Sequence, residues 1–514
     1  MKAAAAALAA GLLLGFAVPA LAVDRTVGSD VPKPAASGEP WTDAEISALD
    51  ANIDITIAGA ATLRGAHLAV YAVDARDGRV LYERNQDDRL APASTLKLVV
   101  GSLALEKLGP AFRLHTEAVL SGPIAAGTLN GNVVVRAAGD PFLNAADMDA
   151  LAGAVAAQGV HAIHGEVGFD VSRYDDSPYP PGWLQEDLPY GYAAPVSALA
   201  FERNSLHLTV SPGPLAGDRA QVVSSPLALR GTPIEGCGYS LQPRLIRLAT
   251  TSATNSPDTI ALVLDPFGCT RVVGSVPLGA APETLDAAVL TPTAYAAMVF
   301  RQALAQHGVT VEPLAVVAGP PDRSIRTALP GAPVVWSRDS EPVNDIVADC
   351  WIPSDNLTAE MLLREIAYAT DATPGTTQRG VALEQAWLKV LGVDPDSLIL
   401  ADGSGLSSYD RVTPRALVAV LQHDFAGPNR ERVLDDLPIA GVRGTLAGSY
   451  IGTPLEKRVF AKTGTLSHSS TLAGYAATTK HGTVIFAFMV DDWSGEPDAL
   501  GSLRARVLTH LIED

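Results

Sequence analysis

The sequence predicts a mixed α/β (α+β) chain whose main domain is interrupted by a long β-rich insertion. Strand-like apolar runs at residues 67–73 and 80–82 lead into a helix with one apolar face, and three more runs, 458–461, 472–477 and 483–490, precede a closing helix from about Pro497. Between 111 and 285 the texture changes to short β-branched runs such as 133–135, turn pairs such as Asn130-Gly131, and many prolines. Helical periodicity returns at 291–306, 356–370 and 378–391. With 514 residues, 47% hydrophobic and 18% charged, the chain has enough apolar material for several packed domains and is not intrinsically disordered.

The N-terminus reads as a secretory signal over residues 1–22. Lys2 supplies a positive start, residues 3–18 an apolar stretch, and Ala20-Leu21-Ala22 a small-x-small cleavage site before Val23. The apolar run is short for a membrane span and Asp24 and Arg25 follow at once, so no transmembrane segment is expected in the mature chain. Residues 23–41 form a Pro/Gly/Ser-containing linker into an amphipathic segment from Trp41 to about Ile57. Asp77-Gly78 marks a hairpin between the first two strands, and the helix that starts near Ser94 stops at Gly109-Pro110. The net charge of −19 repels polyanions and argues against a nucleic-acid partner.

Three cysteines suit an oxidising compartment. Cys237 and Cys269, separated by 31 residues and both in Gly-rich turns, are the expected disulfide, which leaves Cys350 over. No CxxC or HExxH occurs and the ten histidines are scattered, so neither a metal nor a cofactor is expected.

Only eight lysines are present, which makes lysine-bearing motifs informative. Ser94-Thr95-Leu96-Lys97 is the sole S-x-x-K, and one helical turn puts its hydroxyl and amine on the same face. A desolvated amine beside an alcohol can take its proton and make it a nucleophile, and the backbone N–H of Ser94 at a helix start can face an oxyanion. The sole S-x-N, Ser354-Asp355-Asn356, stands where Pro353 gives way to a helix. It offers a hydroxyl for proton relay and a carboxamide for a substrate amide. Lys462-Thr463-Gly464-Thr465 closes a C-terminal strand: its threonine hydroxyls suit a carboxylate, Gly464 leaves room for a substrate backbone, and the Thr465 N–H can complete an oxyanion hole. Singly, each motif is as well explained by a helix cap or strand end. Their conjunction in this order is the signature of serine penicillin-recognising enzymes.

The chain resembles the low-molecular-mass class C penicillin-binding proteins, the D-alanyl-D-alanine carboxypeptidase/endopeptidases of peptidase family S13. The resemblance covers most of the mature chain. It includes Gly139-Asp140-Pro141, Pro181-Gly182-Trp183, the stretches 194–199 and 402–407, Gly444-Thr445-Leu446 and the segments around the three motifs. It implies a serine β-lactamase/transpeptidase-like catalytic domain over 42–110 and 286–514, and the 260 residues between Ser94 and Ser354 are far more than ordinary serine β-lactamases have. The insertion at 111–285 is expected to form two subdomains, the second nested at about 160–270.

The roles it implies are Ser94 as nucleophile, Lys97 as base, Ser354 as proton relay, Asn356 as substrate amide contact and Lys462 as electrostatic partner. Thr463 and Thr465 hold the terminal carboxylate, Gly464 leaves room for the substrate backbone, and the N–H groups of Ser94 and Thr465 form the oxyanion hole. The implied partners are peptidoglycan stem peptides and β-lactam antibiotics, in the periplasm or elsewhere outside the cytoplasm of a bacterial cell; oligomeric state is not indicated. Relatives commonly carry an arginine where Ser408 stands, so either Arg411 reaches in its place or the acceptor pocket differs, and Asp170 and Tyr174 stand where relatives place an acid and an aromatic that complete this pocket from the insertion. The alternatives are a β-lactamase or esterase on the same domain, for which neither an E-x-x-L-N segment nor a tyrosine in place of Ser354 is found, and a non-enzymatic wall-binding protein.

Overall fold

The computed structural model describes residues 31–35, 37–225, 245–265, 268–312 and 331–513. The signal-peptide reading and Cys237 lie outside these residues. The chain divides into two compact units, one holding Arg113–Tyr179 and Trp183–Glu341, the other Pro180–Gly182, Pro342–Asp514 and the described part of Ala22–Phe112.

The second unit carries the three motifs and is built on one sheet. Its first helix, α1 (Asp43–Ala58), begins at Thr42, whose hydroxyl accepts the Glu45 N–H while the Glu45 carboxylate accepts the Thr42 N–H. Such a reciprocal cap satisfies two of the orphan donors of a helix start. Strands β1 (His67–Asp74) and β2 (Val80–Arg84) follow, joined through Gly78, whose φ of +75° a side chain would disfavour. Next come α2 (Lys97–Lys107), α3 (Val343–Trp351), α4 (Asn356–Asp371), α5 (Thr377–Val390) and α6 (Pro414–Ala426). Strands β3 (Val459–Leu466), β4 (Ser469–Ala477) and β5 (Thr483–Asp491) and helix α7 (Pro497–Glu513) end the chain.

The sheet runs β3-β4-β5-β1-β2, antiparallel throughout, so the two ends of the sequence meet at its centre, where His67 pairs with Asp491 and Asp74 with Val484. Helices cover both faces, which is why β5 reads as a continuous apolar run rather than an alternating one. On one face Leu49, Ile53 and Ile57 of α1 and Leu503, Val507 and Leu511 of α7 pack on Val70, Phe486 and Phe488. Each such side chain, fully buried, contributes roughly 1.5–3 kcal/mol relative to exposure. On the other face α6 lies against β1 and β5 and also meets α2. The strands of 458–461 and 472–477 are longer than their apolar runs, because ladder pairing carries β3 on to Leu466 opposite Ser469.

The inserted unit is larger than the sequence reading allowed. Strand Val334–Asp339 pairs with His115–Ser121, which pairs in turn with Asn132–Arg136 and then Val167–Asp170. Helix Pro292–Gln306 packs on Ala145–Ala157 in this same unit. The boundary at 285 is therefore corrected to Glu341: the chain returns to complete a sheet begun more than 200 residues earlier, and helical periodicity resumes before the insertion ends. Three smaller sheets occupy the stretch from Ser205 to Ala288. Arg338 bridges the carboxylates of Asp140 and Asp147, tying the returning strand to the Gly139-Asp140-Pro141 turn.

Within the motif-bearing unit, α2 is pinned by Trp351, whose fully buried indole N–H donates to the Lys97 carbonyl at 2.7 Å. The indole lies so close to Gly101 that a Cβ there would stand 2.5 Å from its nitrogen. Gly101→Ala is accordingly expected to destabilise the protein by about 1–3 kcal/mol through overpacking, read as a lower midpoint of chemical unfolding.

Candidate active site

The turn before α2 fixes the Ser94 hydroxyl. Residues Ala93–Leu96 form a 3-10 turn, and the Pro92 carbonyl accepts from the Thr95 hydroxyl at 2.7 Å and from Thr471 of β4 at 2.8 Å. Ala93 is held at φ +45°, a conformation that costs a non-glycine residue of order 1 kcal/mol and persists only where surroundings enforce it. The enforcing neighbour is Gly405, whose position leaves no room for a Cβ: one would stand 1.8 Å from the Ala93 carbonyl oxygen. Ser354, likewise, sits at φ +70° in the turn preceding α4. Asp355 caps that helix by accepting the Thr358 N–H, which leaves Asn356 as its first residue.

These turns meet around two lysines with no solvent exposure. Lys97 Nζ lies 2.8 Å from Ser94 Oγ, 2.6 Å from Asn356 Oδ1 and 2.6 Å from the Ser404 carbonyl. Lys462 Nζ donates to Ser354 Oγ at 2.8 Å and to the Thr463 carbonyl at 2.9 Å. Burial pushes the pKa of Lys97 below the usual lysine value, opposed by the negative fields of Cys350, Asp402, Asp355 and Glu360. Lys462 lies well below that value, through burial and then through the charge of Lys97. The site thus holds an amine that sheds its proton more readily than a surface lysine, in contact with a hydroxyl.

β3 brings the third motif alongside. A Cβ on Gly464 would stand 2.2 Å from Thr471 Oγ1, 2.8 Å from the Pro92 carbonyl and 2.9 Å from the Ser94 nitrogen. The sequence reading reserved this glycine for a substrate backbone; the protein's own packing against the Ser94 turn already demands it. Thr463 Oγ1 donates to Thr445 Oγ1 at 2.7 Å, and Thr445, Thr463 and Thr465 are all at least partly exposed.

Behind Lys97 lies a buried acidic scaffold. Glu360 Oε1 accepts the N–H groups of Gly403 and Ser404, each at 2.9 Å. Asp402 accepts those of Gly405 and Ser407 and the Ser404 hydroxyl. Burial and the charge of Asp402 raise the Glu360 pKa to about 7. Burial raises Glu384 and Asp410 well above the usual carboxylate range, with the charges of Glu360 and Asp402 adding to it. Cys350 is a free buried thiol pushed up to about 12 by burial.

Residues 49–507 match the D-Ala-D-Ala carboxypeptidase 3 (S13) family. The chain belongs to this family. It is 35% identical over 466 residues to the D-alanyl-D-alanine carboxypeptidase of Actinomadura sp. (strain R39), covering 88% of this chain and 82% of that one. It is 26% identical over 447 residues to the D-alanyl-D-alanine carboxypeptidase DacB of Haemophilus influenzae, covering 86% and 89%. Its fold matches the crystal structure of penicillin binding protein 4 (dacB) from Haemophilus influenzae at a TM-score of 0.75 and 23% identity, over 92% of this chain and all of that one. The same protein complexed with a novel β-lactam matches at 0.70 over 90% of this chain, also at 23% identity. This S13 protein is thus a D-Ala-D-Ala carboxypeptidase, a hydrolase of the peptidoglycan-acting class, with the mixed α/β architecture expected from its sequence.

In this S13 carboxypeptidase Ser94, Lys97, Ser354, Asn356, Lys462, Thr463 and Gly464 come together. Asn356, expected to face a substrate amide, also orients Lys97. Of the residues expected in the acceptor pocket, Arg411 belongs to the motif-bearing unit and Asp170 and Tyr174 to the inserted one. The Arg411 guanidinium folds back on the carbonyls of Ser408 and Asp410, and the Ser408 hydroxyl donates to the Gly182 carbonyl. In the inserted unit Tyr174 is fully buried against Gly139, and the Asp170 carboxylate accepts the Ser172 N–H. Cys269 is disulfide-bonded. Glu360, Ser404 and Thr445 were not anticipated. Residues 402–407 and 444–446 had been noted as segments, but nothing in their composition assigned them contacts.

The buried carboxyl of Glu384 lends itself to a stability measurement. Neither of its oxygens has a hydrogen-bond partner among the described residues. The unfolded chain releases this proton near 4.5, whereas the folded chain holds it to much higher pH, so stability falls as pH rises above about 4.5. Glu384→Gln removes the linkage. It is expected to be more stable than wild type at pH 8, by of order 1–3 kcal/mol, read from chemical unfolding, with the margin closing as pH is lowered toward 4.

Proposed function

We propose that Ser94 is the nucleophile of a serine D-alanyl-D-alanine carboxypeptidase/endopeptidase that works through an acyl-enzyme, with Lys97 as its general base. The observation that carries this reading is the 2.8 Å approach of Lys97 Nζ to Ser94 Oγ by a buried amine of lowered pKa. In its neutral form Lys97 keeps two N–H groups for the Asn356 carboxamide and the Ser404 carbonyl, and the lone pair that remains points at Ser94. The hydroxyl proton passes to that amine as Oγ attacks the carbonyl of the penultimate D-Ala. The oxyanion is received by the N–H groups of Ser94 and Thr465.

Lys462 supplies positive charge to the terminal carboxylate, with the hydroxyls of Thr463 and Thr465 as direct donors. Thr445, hydrogen-bonded to Thr463, extends this donor chain. Ser354, held by Lys462, relays a proton to the departing amine. Water then hydrolyses the ester and frees Ser94. A β-lactam reproduces the acyl-D-Ala-D-Ala geometry and acylates the same hydroxyl. Cutting a D-Ala link to a neighbouring stem peptide is the same chemistry with a larger leaving amine. The disulfide at Cys269 and the signal-like residues 1–22 support action outside the cytoplasm, in the periplasm or an equivalent compartment.

Purified protein is expected to be labelled stoichiometrically by a fluorescent penicillin, to release D-Ala from a model peptide and to convert cross-linked muropeptide dimers from sacculi to monomers. Ser94→Ala abolishes all three, and Lys97→Met lowers acylation by at least a factor of about 10³. Rapid nitrocefin turnover without an accumulated adduct would instead identify a β-lactamase. Because only the neutral amine accepts the proton, the acylation rate rises with pH through the Lys97 pKa. Its half-maximal point is expected below the 10.5 of an ordinary lysine, read from penicillin acylation rates between pH 5 and 10.

A further inference from the structure

We infer that Glu360 is a positioning residue for acylation: its buried carboxyl holds the Gly403 and Ser404 amides so that the Ser404 carbonyl keeps the Lys97 lone pair aimed at Ser94. The inference rests on the reading of Ser94 and Lys97 as nucleophile and base. Lys97 has a tetrahedral nitrogen with three neighbours within 2.8 Å. Two of them, Asn356 Oδ1 and the Ser404 carbonyl, accept only; the third is the hydroxyl to be activated. The direction of the lone pair is therefore set by where those two acceptors stand.

Asn356 is anchored as the first residue of α4, but the Ser404 carbonyl belongs to an irregular segment with no ladder or helix to hold it. Two carboxylates anchor it: Asp402 Oδ1 accepts the Gly405 N–H, which belongs to the same peptide unit as the Ser404 carbonyl, at 2.6 Å, and Glu360 holds the two amides before it. Glu360 Oε1, one helical turn beyond Asn356 on α4, accepts both the Gly403 and the Ser404 N–H at 2.9 Å. The same helix thus places both acceptors, one by its own side chain and one through two amides. A buried amide pair deprived of its acceptor carries a desolvation penalty and moves to find another partner, and a shift of about 1 Å at a catalytic group can reduce a rate 100-fold. The carboxyl is surrounded by other ionisable groups: Arg364 on its own helix, Glu384 from α5, Asp402 and Asp410 from the segment it supports, and Lys97 beyond. Its second oxygen, Oε2, is buried with no hydrogen-bond partner among the described residues, so of the two Glu360 oxygens Oε1 makes both contacts to the segment.

Glutamine preserves an Oε1 acceptor and methionine preserves the volume without one, so the two variants separate positioning from charge. Both remove the negative field at Lys97, lowering its pKa further, and both are expected to shift the acid limb of the acylation profile to lower pH. Only Glu360→Met is expected to lose rate on the plateau, about 10- to 100-fold in the first-order acylation constant, with the non-covalent dissociation constant for penicillin within about twofold of wild type. Glu360→Gln is expected to stay within about threefold of the wild-type plateau. The measurement is stopped-flow acylation by a chromogenic or fluorescent penicillin at several concentrations and pH values, alongside thermal unfolding of each variant.

A Met plateau equal to wild type overturns the inference, as does a Gln plateau lowered tenfold or a loss carried by the dissociation constant. The Gln result stands by itself should the Met variant not fold. As a control, Glu384→Gln, a substitution in an equally buried carboxyl that anchors no amide, should leave the plateau unchanged; a tenfold loss there would make the effect one of buried charge in general and would also overturn the inference. Failure of the wild-type protein to be acylated at all would instead remove the reading on which this one rests.

Discussion

Two lysine side chains sit side by side with no solvent exposure, and the arrangement of the motif-bearing unit follows from that constraint. An ammonium group taken out of water without compensation is prohibitively unfavourable, so it must either be surrounded by acceptors or lose its proton. Both happen. Lys97 is ringed by a hydroxyl, a carboxamide and a carbonyl, and Lys462 by a hydroxyl and a carbonyl, while burial draws both pKa values down. The resulting amine is chemically useful because its surroundings disfavour its charged form. Two turns, those before α2 and α4, and the middle of β3 must be held in register for the acceptors to stand where they do.

Much of the neighbouring structure can be understood as that holding. Trp351 fixes the carbonyl of Lys97 itself, Thr471 and Thr95 fix the carbonyl of Pro92, and Gly405 lets its segment press on Ala93. The backbone strain at Ala93 and Ser354 is confined to this spot, where packing on several sides enforces it. The carboxyl groups beneath Lys97 answer to the same physics in reverse. So many acids in one dry region cannot all ionise, and Glu384 and Asp410 accordingly hold their protons, while Asp402 accepts the Gly405 and Ser407 N–H groups and the Ser404 hydroxyl.

The core of the site was legible in the sequence because its chemistry resides in short motifs that are unique in a lysine-poor chain. Ser94 and Lys97 form a local pair that one helical turn already dictates, whereas Asn356 and Ser354 reach Lys97 and Lys462 only through packing. The strands and helices of the motif-bearing unit were legible for a similar reason, since periodicity is local. The limit of the insertion was not. Strand Val334–Asp339 declares itself only by pairing with His115–Ser121, and a helix such as Pro292–Gln306 carries the same pattern whichever unit it packs on. The contacts of Arg411 and Tyr174 were not legible for a related reason: that Arg411 folds onto its own backbone and that Tyr174 is buried depend on packing, which side-chain type does not encode.

The sequence alone determined which functional groups are present and which neighbours share a turn, because covalent spacing and backbone periodicity act over a few residues. It also implied the S13 resemblance that the family match and the relatives bear out. The tertiary structure decided what surrounds those groups: that the two lysines are dry, that Ser404 supplies a carbonyl to Lys97, and that Glu360 supports that carbonyl from 44 positions away. Burial and long-range hydrogen bonding arise only when distant segments pack, and they draw the Lys97 pKa below that of an ordinary amine while holding it against the Ser94 hydroxyl.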